Sequence, residues 1–354
     1  MSGSGAGEAP TAGQRFRELD AFRGIAALSI VLFHLISRYP QMIAGAGDPG
    51  PWISELTPLV RKIGALPVCW FFMISGFVIV WTLEKCETWR DFAVSRFSRL
   101  YPTFWAAATV TWLVGIIDPL PIQHYTTLQF FANLTMFHEV MGFPALDGTY
   151  WSLTVELIFY IGMAGLFSLG WMRHLHLVCL IWALACMGNG LLAFGGVDVW
   201  WRVQKYGLLR YGHFLIIGIM FYHIWKFYRV NVSAIIIFIC IVSIYFLDGL
   251  FNTACCCVLS LMFFLAIRGH LQILVCRPLL WLGSISYALY VCHEYLGYRL
   301  LLSLENAGLA RSGATAVALA AVMLLAWTIT TIIERPSLLL IRAAWRRRAP
   351  MPAN

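Results

Sequence analysis

Arg23 and His34 stand eleven residues apart in a stretch that is otherwise almost wholly apolar. On a helix that spacing is three turns, so the two side chains share one face with about 16 Å between them along the axis. A neutral imidazole, with an unperturbed pKa of about 6.5, can take a proton from a hydroxyl at pH 7, which is general-base chemistry. The other reading of His34 is a hydrogen-bonded packing residue; its alignment with Arg23 favours chemistry. Asp20 lies in the same stretch, and Ser75, Glu156 and His293 lie in three others. Inside a membrane an ionisable group costs about 2.5–3.5 kcal/mol by insertion scales, so each is a candidate site residue. With helical spacing, His34, Ser75, Glu156 and His293 fall in one band of depth, from the midplane to the outer third. Four polar groups at one depth point to a shared cavity, the alternative for each being a private bond to a neighbouring helix. Arg96 and Arg99 are i, i+3 neighbours just before Leu100, Tyr101 and Pro102. Such a pair can hold a phosphate by bidentate bonds, and it also reads as ordinary basic charge at a membrane surface.

The elements that must carry these residues are transmembrane helices. The 354 residues are 60% hydrophobic and 12% charged, against about 45–50% and about 25% in soluble domains. One aqueous core cannot hide that excess, so the chain reads as all-α and polytopic. Windows of about 20 apolar residues predict ten membrane segments, at 19–38, 66–84, 100–117, 150–170, 175–195, 209–226, 232–248, 252–268, 281–303 and 314–333. The net charge of +8 does not point to nucleic acid, because the Lys and Arg lie between the apolar runs instead of along one stripe. They read as topology signals facing anionic lipid. With the N-terminus inside, 17 of the 25 Lys and Arg fall on the inner side, and both termini are expected in the cytoplasm. The loop 118–149, on the outer side, has no Lys or Arg and is expected to hold a short interfacial segment near 123–137. Residues 1–14 read as a disordered cytoplasmic tail without the features of a cleavable signal peptide, 15–340 as one membrane domain without repeats, and 341–354 as a basic cytoplasmic tail. The ten cysteines are scattered through apolar runs with no CxxC pair; they read as small buried hydrophobes, and no metal site is expected.

Six stretches, taken in order, resemble the acyltransferase-3 family of membrane proteins, which includes bacterial O-acetyltransferases of lipopolysaccharide, exopolysaccharide and Nod factor. They are Leu19 to Leu28 closing on His34, Phe71 to Phe77 with Ser75 inside, and Phe92 to Pro102 with Arg96 and Arg99. Asp147 to Tyr160 with Glu156, Leu282 to His293, and Glu334-Arg335-Pro336 complete the set. Cys292 stands where an aliphatic residue is usual. The 354 residues include no esterase-like domain of the kind some members carry, so one-stage transfer is the expectation.

The resemblance implies an integral enzyme of the bacterial inner membrane. It would move an acyl group, acetyl first among them, from cytoplasmic acetyl-CoA or another acyl-CoA to a carbohydrate or lipid-linked glycan. His34 is then the base, and Glu156 either orients the imidazole or holds the acceptor hydroxyl. Arg23, Arg96 and Arg99 are expected to bind the CoA phosphates, with Asp20, Ser75, Tyr150, Trp151, Ser152 and His293 in supporting or acceptor-binding roles. Direct transfer and a covalent acyl-enzyme both stay open. A small hydroxylated metabolite such as a macrolide as acceptor, or a longer acyl or succinyl donor, is the alternative within acyl transfer. A proton-coupled transporter would call for repeats that the sequence lacks.

Overall fold

The computed structural model describes residues 16–43, 46–64, 66–121, 125–227 and 230–348. The expected disordered tail, 1–14, lies outside them. Among the described residues every regular element is helical. The helices that matter for the site are α1 (Arg17–Leu32), α2 (Pro51–Ile63), α3 (Leu66–Leu83), α4 (Trp89–Ile117), α5 (Thr127–Leu134), α6 (Trp151–Ser168) and α7 (Leu175–Phe194). They are followed by α8 (Gly212–Phe227), α9 (Val230–Ile267), α10 (Arg277–Cys292), α11 (Glu294–Asn306), α12 (Arg311–Ile329) and α13 (Arg335–Arg348).

Seven helical stretches among the described residues are long and apolar enough to cross a membrane: Arg17–Met42, Leu66–Leu83, Trp89–Ile117, Gly148–Ser168, Trp171–Phe194, Val230–Ile267 and Arg311–Arg347. This is fewer than the ten expected, for identifiable reasons. Two expected segments fall on α9, which counts once although Gly249, at φ 77° and ψ −179°, breaks it into two runs. Helix α8 has 16 residues, about 24 Å at 1.5 Å per residue. The expected 281–303 segment is divided at His293 into α10 and α11. The polar loop does hold a short helix, α5, started by a reciprocal Thr126–Gln129 capping box, with Leu128 and Phe131 exposed.

Close backbone crossings fix the bundle around two of the site residues. Water gives no hydrophobic drive between helices in lipid, so small residues that let backbones meet carry the packing. At Gly24 of α1 a Cβ would come within 2.7 Å of the Gly283 nitrogen on α10, and at Gly283 within 2.0 Å of the Asp20 carbonyl oxygen. The same arrangement joins α3 to α8, where a Cβ on Gly76 would sit 2.1 Å from the Leu215 oxygen and one on Gly218 2.0 Å from the Met73 oxygen. Arg23 and Ser75 each adjoin one of these glycines, so their depth and azimuth are set by the tightest contacts in the bundle.

Two helices continue into a π-helical turn, Phe33–Arg38 after α1 and Thr330–Glu334 after α12. The wider turn rotates the side chains that follow and often marks functional positions. One such turn carries His34 and the other ends on Glu334. Helix α4 begins at a second capping box, in which Asp91 N–H donates to Thr88 Oγ1 at 3.2 Å and Thr88 N–H to Asp91 Oδ2 at 2.8 Å. A cap of this kind contributes about 1 kcal/mol and fixes the register of Arg96 and Arg99.

Candidate active site

Helices α1, α3, α4, α6, α10 and α13 enclose a cavity of about 300 Å³ into which Arg23, Arg96, Arg99 and Arg342 converge with Ser75 and Glu156. The Glu156 carboxylate accepts from Ser75 Oγ at 2.7 Å and from Tyr160 Oη at 2.5 Å, both hydroxyls meeting at Oε1. Arg99 is paired with buried Glu334 at 2.6 Å. Arg96 reaches Ser95 Oγ at 3.2 Å, and Arg342 donates to Ser98 and Ser95 at 3.3 Å. Arg23 has no hydrogen-bond or ion-pair partner among the described residues. Cations so exceed carboxylates here that a bound anion would offset their mutual repulsion and desolvation. Val78, Arg96 and Arg342 also line a wider groove of about 700 Å³, which adds Lys85, Arg346, Trp81 and Trp345 at the ends of α3 and α13.

A second cavity of about 320 Å³ holds His34. The two cavities share Val68 and Tyr290 in their linings. Tyr290 is held there by a 2.6 Å hydrogen bond between its hydroxyl and Ser152 Oγ. The second cavity is also lined by Trp151, Tyr211, Asn252 and an Arg210–Asp248 ion pair at 2.5 Å.

The tautomer of His34 follows from its neighbours. Carbonyl oxygens only accept, and His293 Nδ1 lies 3.0 Å from both the Leu289 and the Tyr290 carbonyl oxygens. His293 therefore carries its proton on Nδ1, and in the neutral ring Nε2 is an acceptor. His34 Nδ1 lies 2.8 Å from that Nε2 and must donate to it. The two ring planes are within 14° with centroids 4.9 Å apart, so the rings meet end to end. The neutral His34 then has its lone pair on Nε2, the nitrogen that none of the described residues engages. A buried carbonyl pair thus sets, through one imidazole, the basic nitrogen of another.

The expected site residues divide between these two places. Arg23, Ser75, Arg96, Arg99, Ser152 and Glu156 meet in the basic cavity, and His34 and Trp151 line the second. His293 reaches His34 without lining either cavity. Glu156 was expected to orient His34 or to hold the acceptor hydroxyl; its partners are Ser75 and Tyr160, and the group that orients His34 is His293. Tyr150 is fully buried and donates to the Val291 carbonyl at 3.2 Å, a packing position. Asp20 contributes its carbonyl to the α1–α10 crossing.

Several residues of this neighbourhood have no counterpart in the sequence reading. Arg342 and Arg346 lie in the stretch expected to be a basic tail from 341, yet α13 runs to Arg348 and packs on α4. An amphipathic pattern over 335–348 was the available signal. Tyr160 closes the fourth resembling stretch without having been given a role, and Arg210, Asp248 and Glu294 were not singled out.

The chain matches the acyltransferase domain family, Acyl_transf_3, over residues 16–332. It is similar to the putative acetyltransferase ORF330 of Acidianus two-tailed virus, at 24% identity over 283 residues, 77% of this chain and 80% of that protein. It is also similar to nodulation protein 10 of Rhizobium leguminosarum bv. viciae, at 26% identity over 167 residues, 42% of this chain and 44% of that protein. No solved structure is a significant match. The family match runs through nearly all of a helical bundle built to cross a bilayer, and on that ground the chain belongs to the acyltransferase-3 family and is a multi-pass membrane acyltransferase.

Proposed function

We propose that this protein moves an acetyl group from cytoplasmic acetyl-CoA to a hydroxyl of a surface or exported glycan, free or lipid-linked, across the bacterial inner membrane. The observation that carries this reading is the His293–His34 relay, which leaves a basic nitrogen of His34 on a cavity separate from the arginine cluster. In the proposed reaction His34 Nε2 takes the proton of the acceptor hydroxyl as that oxygen attacks the thioester carbonyl. The C–S bond then breaks, the ester forms, and the imidazolium returns the proton to the departing thiolate of CoA.

The donor's phosphates and nucleotide lie in the basic groove and cavity, held by Arg23, Arg96, Arg99 and Arg342. Its thioester reaches the second cavity at the Val68–Tyr290 partition. Four guanidinium groups around one cavity support this placement, since each offers planar donors that match phosphate oxygens. The acceptor occupies the second cavity, where the flat faces of Trp151 and Tyr211 and the polar groups of Asn252, Arg210 and Asp248 suit a polyhydroxylated ring. The excess of Lys and Arg on one side of the spans supports a cytoplasmic position for the arginine cavity and for both termini.

Mass spectrometry of surface glycans from cells with and without the gene tests this function. Acetyl esters lost on deletion and regained on complementation are expected. Glycans that are identical in the two strains would overturn the assignment of the acceptor.

A further inference from the structure

Glu294 takes no part in the His293–His34 hydrogen bond, yet it lies beside the His34 nitrogen that donates it, opposite the basic one. Its Oε2 is 3.5 Å from His34 Nδ1, and both side chains are nearly buried, at 13% and 12% exposure. Its place is fixed from three directions. The chain turns at His293, so Glu294 opens α11 and its carboxylate lies at the positive end of that helix, which favours the anion against burial and the neighbouring Asp147 carboxylate, which favour the protonated form. Asp147 Oδ2 accepts from the Tyr295 N–H at 2.9 Å and pins this first turn. Gly148 leaves room for the carboxylate: a Cβ there would come within 2.6 Å of both its oxygens. Asp147 is itself held by Thr149, whose N–H and Oγ1 lie 3.0 and 2.5 Å from Oδ1. A loop of three residues is thereby built around one carboxylate that packs beside an imidazole.

We propose that Glu294 is a positioning residue for acyl transfer, the counter-charge for the imidazolium that His34 becomes when it holds the acceptor proton. This rests on His34 being the base. In the neutral dyad the Nδ1 proton of His34 points to His293, and Glu294 lies to one side. Once Nε2 gains a proton, positive charge spreads over both nitrogens, and a carboxylate 3.5 Å from Nδ1 stabilises it in a site with little water. The proton then goes to the leaving thiolate and the dyad returns to its neutral state. Glu294 forms and breaks no bond in this sequence.

The test compares Glu294→Gln with Glu294→Asp in membrane vesicles of the host cell, which carry the native acceptor, using labelled acetyl-CoA and measuring acetyl incorporation. Gln keeps the shape and removes the charge; Asp keeps the charge and shortens the arm. The expected result is that Gln lowers kcat by at least about 10-fold with KM for acetyl-CoA within about 3-fold, and that Asp recovers most of the loss. A structural role would give the reverse order, because the isosteric Gln would preserve packing against Gly148 and Asp would not. That reverse order, or unchanged turnover in the Gln variant, overturns the proposal. Acetyl-CoA binding by purified Gln variant is measured alongside, and loss of binding would show a collapsed site and count against a role confined to charge. If His34→Ala keeps its activity, the base assignment itself fails; if His34→Ala is inactive and Glu294→Gln is not, only the counter-charge fails.

Discussion

A histidine can take a proton only on a nitrogen that carries none, and at His34 the choice of nitrogen is made by two backbone carbonyls acting through His293. Replacing His34 by Ala would remove the proposed base and should lower acetyl transfer about 10² to 10⁴-fold. Acetyl-CoA binding to purified protein should persist, because the arginines line a different cavity. His293→Ala should cost less than His34→Ala, since it frees the tautomer without removing the basic nitrogen. Acetyl incorporation in vesicles measures both, and equal activity of wild type and His34→Ala would contradict the assignment. His34, Arg23, Ser75 and Glu156 could be read from the sequence because a polar group inside an apolar run is costly and therefore informative. The pairing of His34 with His293 could not, because 259 residues separate them and nothing in either segment specifies its partner. Glu294 sits directly after His293, and only the turn in the chain there decides that it faces the site.

At the scale of elements, the helices that place the arginines come from both ends of the chain. Arg342 belongs to α13, past the end of the family match at 332, yet it lines both the basic cavity and the adjoining groove. Arg342→Ala should weaken acetyl-CoA binding by about 1.5–3 kcal/mol, the value of one charge-assisted hydrogen bond, or about 10- to 100-fold in Kd. Calorimetry on purified protein measures this, and unchanged affinity would return Arg342 to a role in packing against α4. Hydropathy located most of the spans, because length and apolarity are local properties. It separated 232–248 from 252–268, where Gly249 does break α9, but it did not foresee the turn at His293, which depends on a single backbone conformation. Nor did composition foresee that the basic C-terminal stretch folds as a helix against α4, since charge alone marks a membrane surface without saying what it packs on. The glycine crossings at Gly24–Gly283 and Gly76–Gly218 were equally hidden, being pairs of contacts between distant segments.

Among the described residues the molecule presents two cavities that share Val68 and Tyr290, one rich in arginine and one lined by His34, the proposed base. That arrangement suits an enzyme that receives its donor on one face of a bilayer and its acceptor on the other, passing only the acyl group between them. In the proposed topology, which the asymmetry of Lys and Arg favours, the arginine cavity faces the cytoplasm. Acetyl-CoA is highly charged and does not cross a sealed bilayer, so sidedness can be read directly. The most direct measurement adds labelled acetyl-CoA to sealed membrane vesicles of known orientation and follows label on glycan enclosed in the lumen. Transfer across the bilayer predicts labelling only in inside-out vesicles, where the cytoplasmic face is exposed, with the product protected from added esterase until detergent opens the membrane. Labelling in sealed right-side-out vesicles, or product on the same face as the donor, would contradict it.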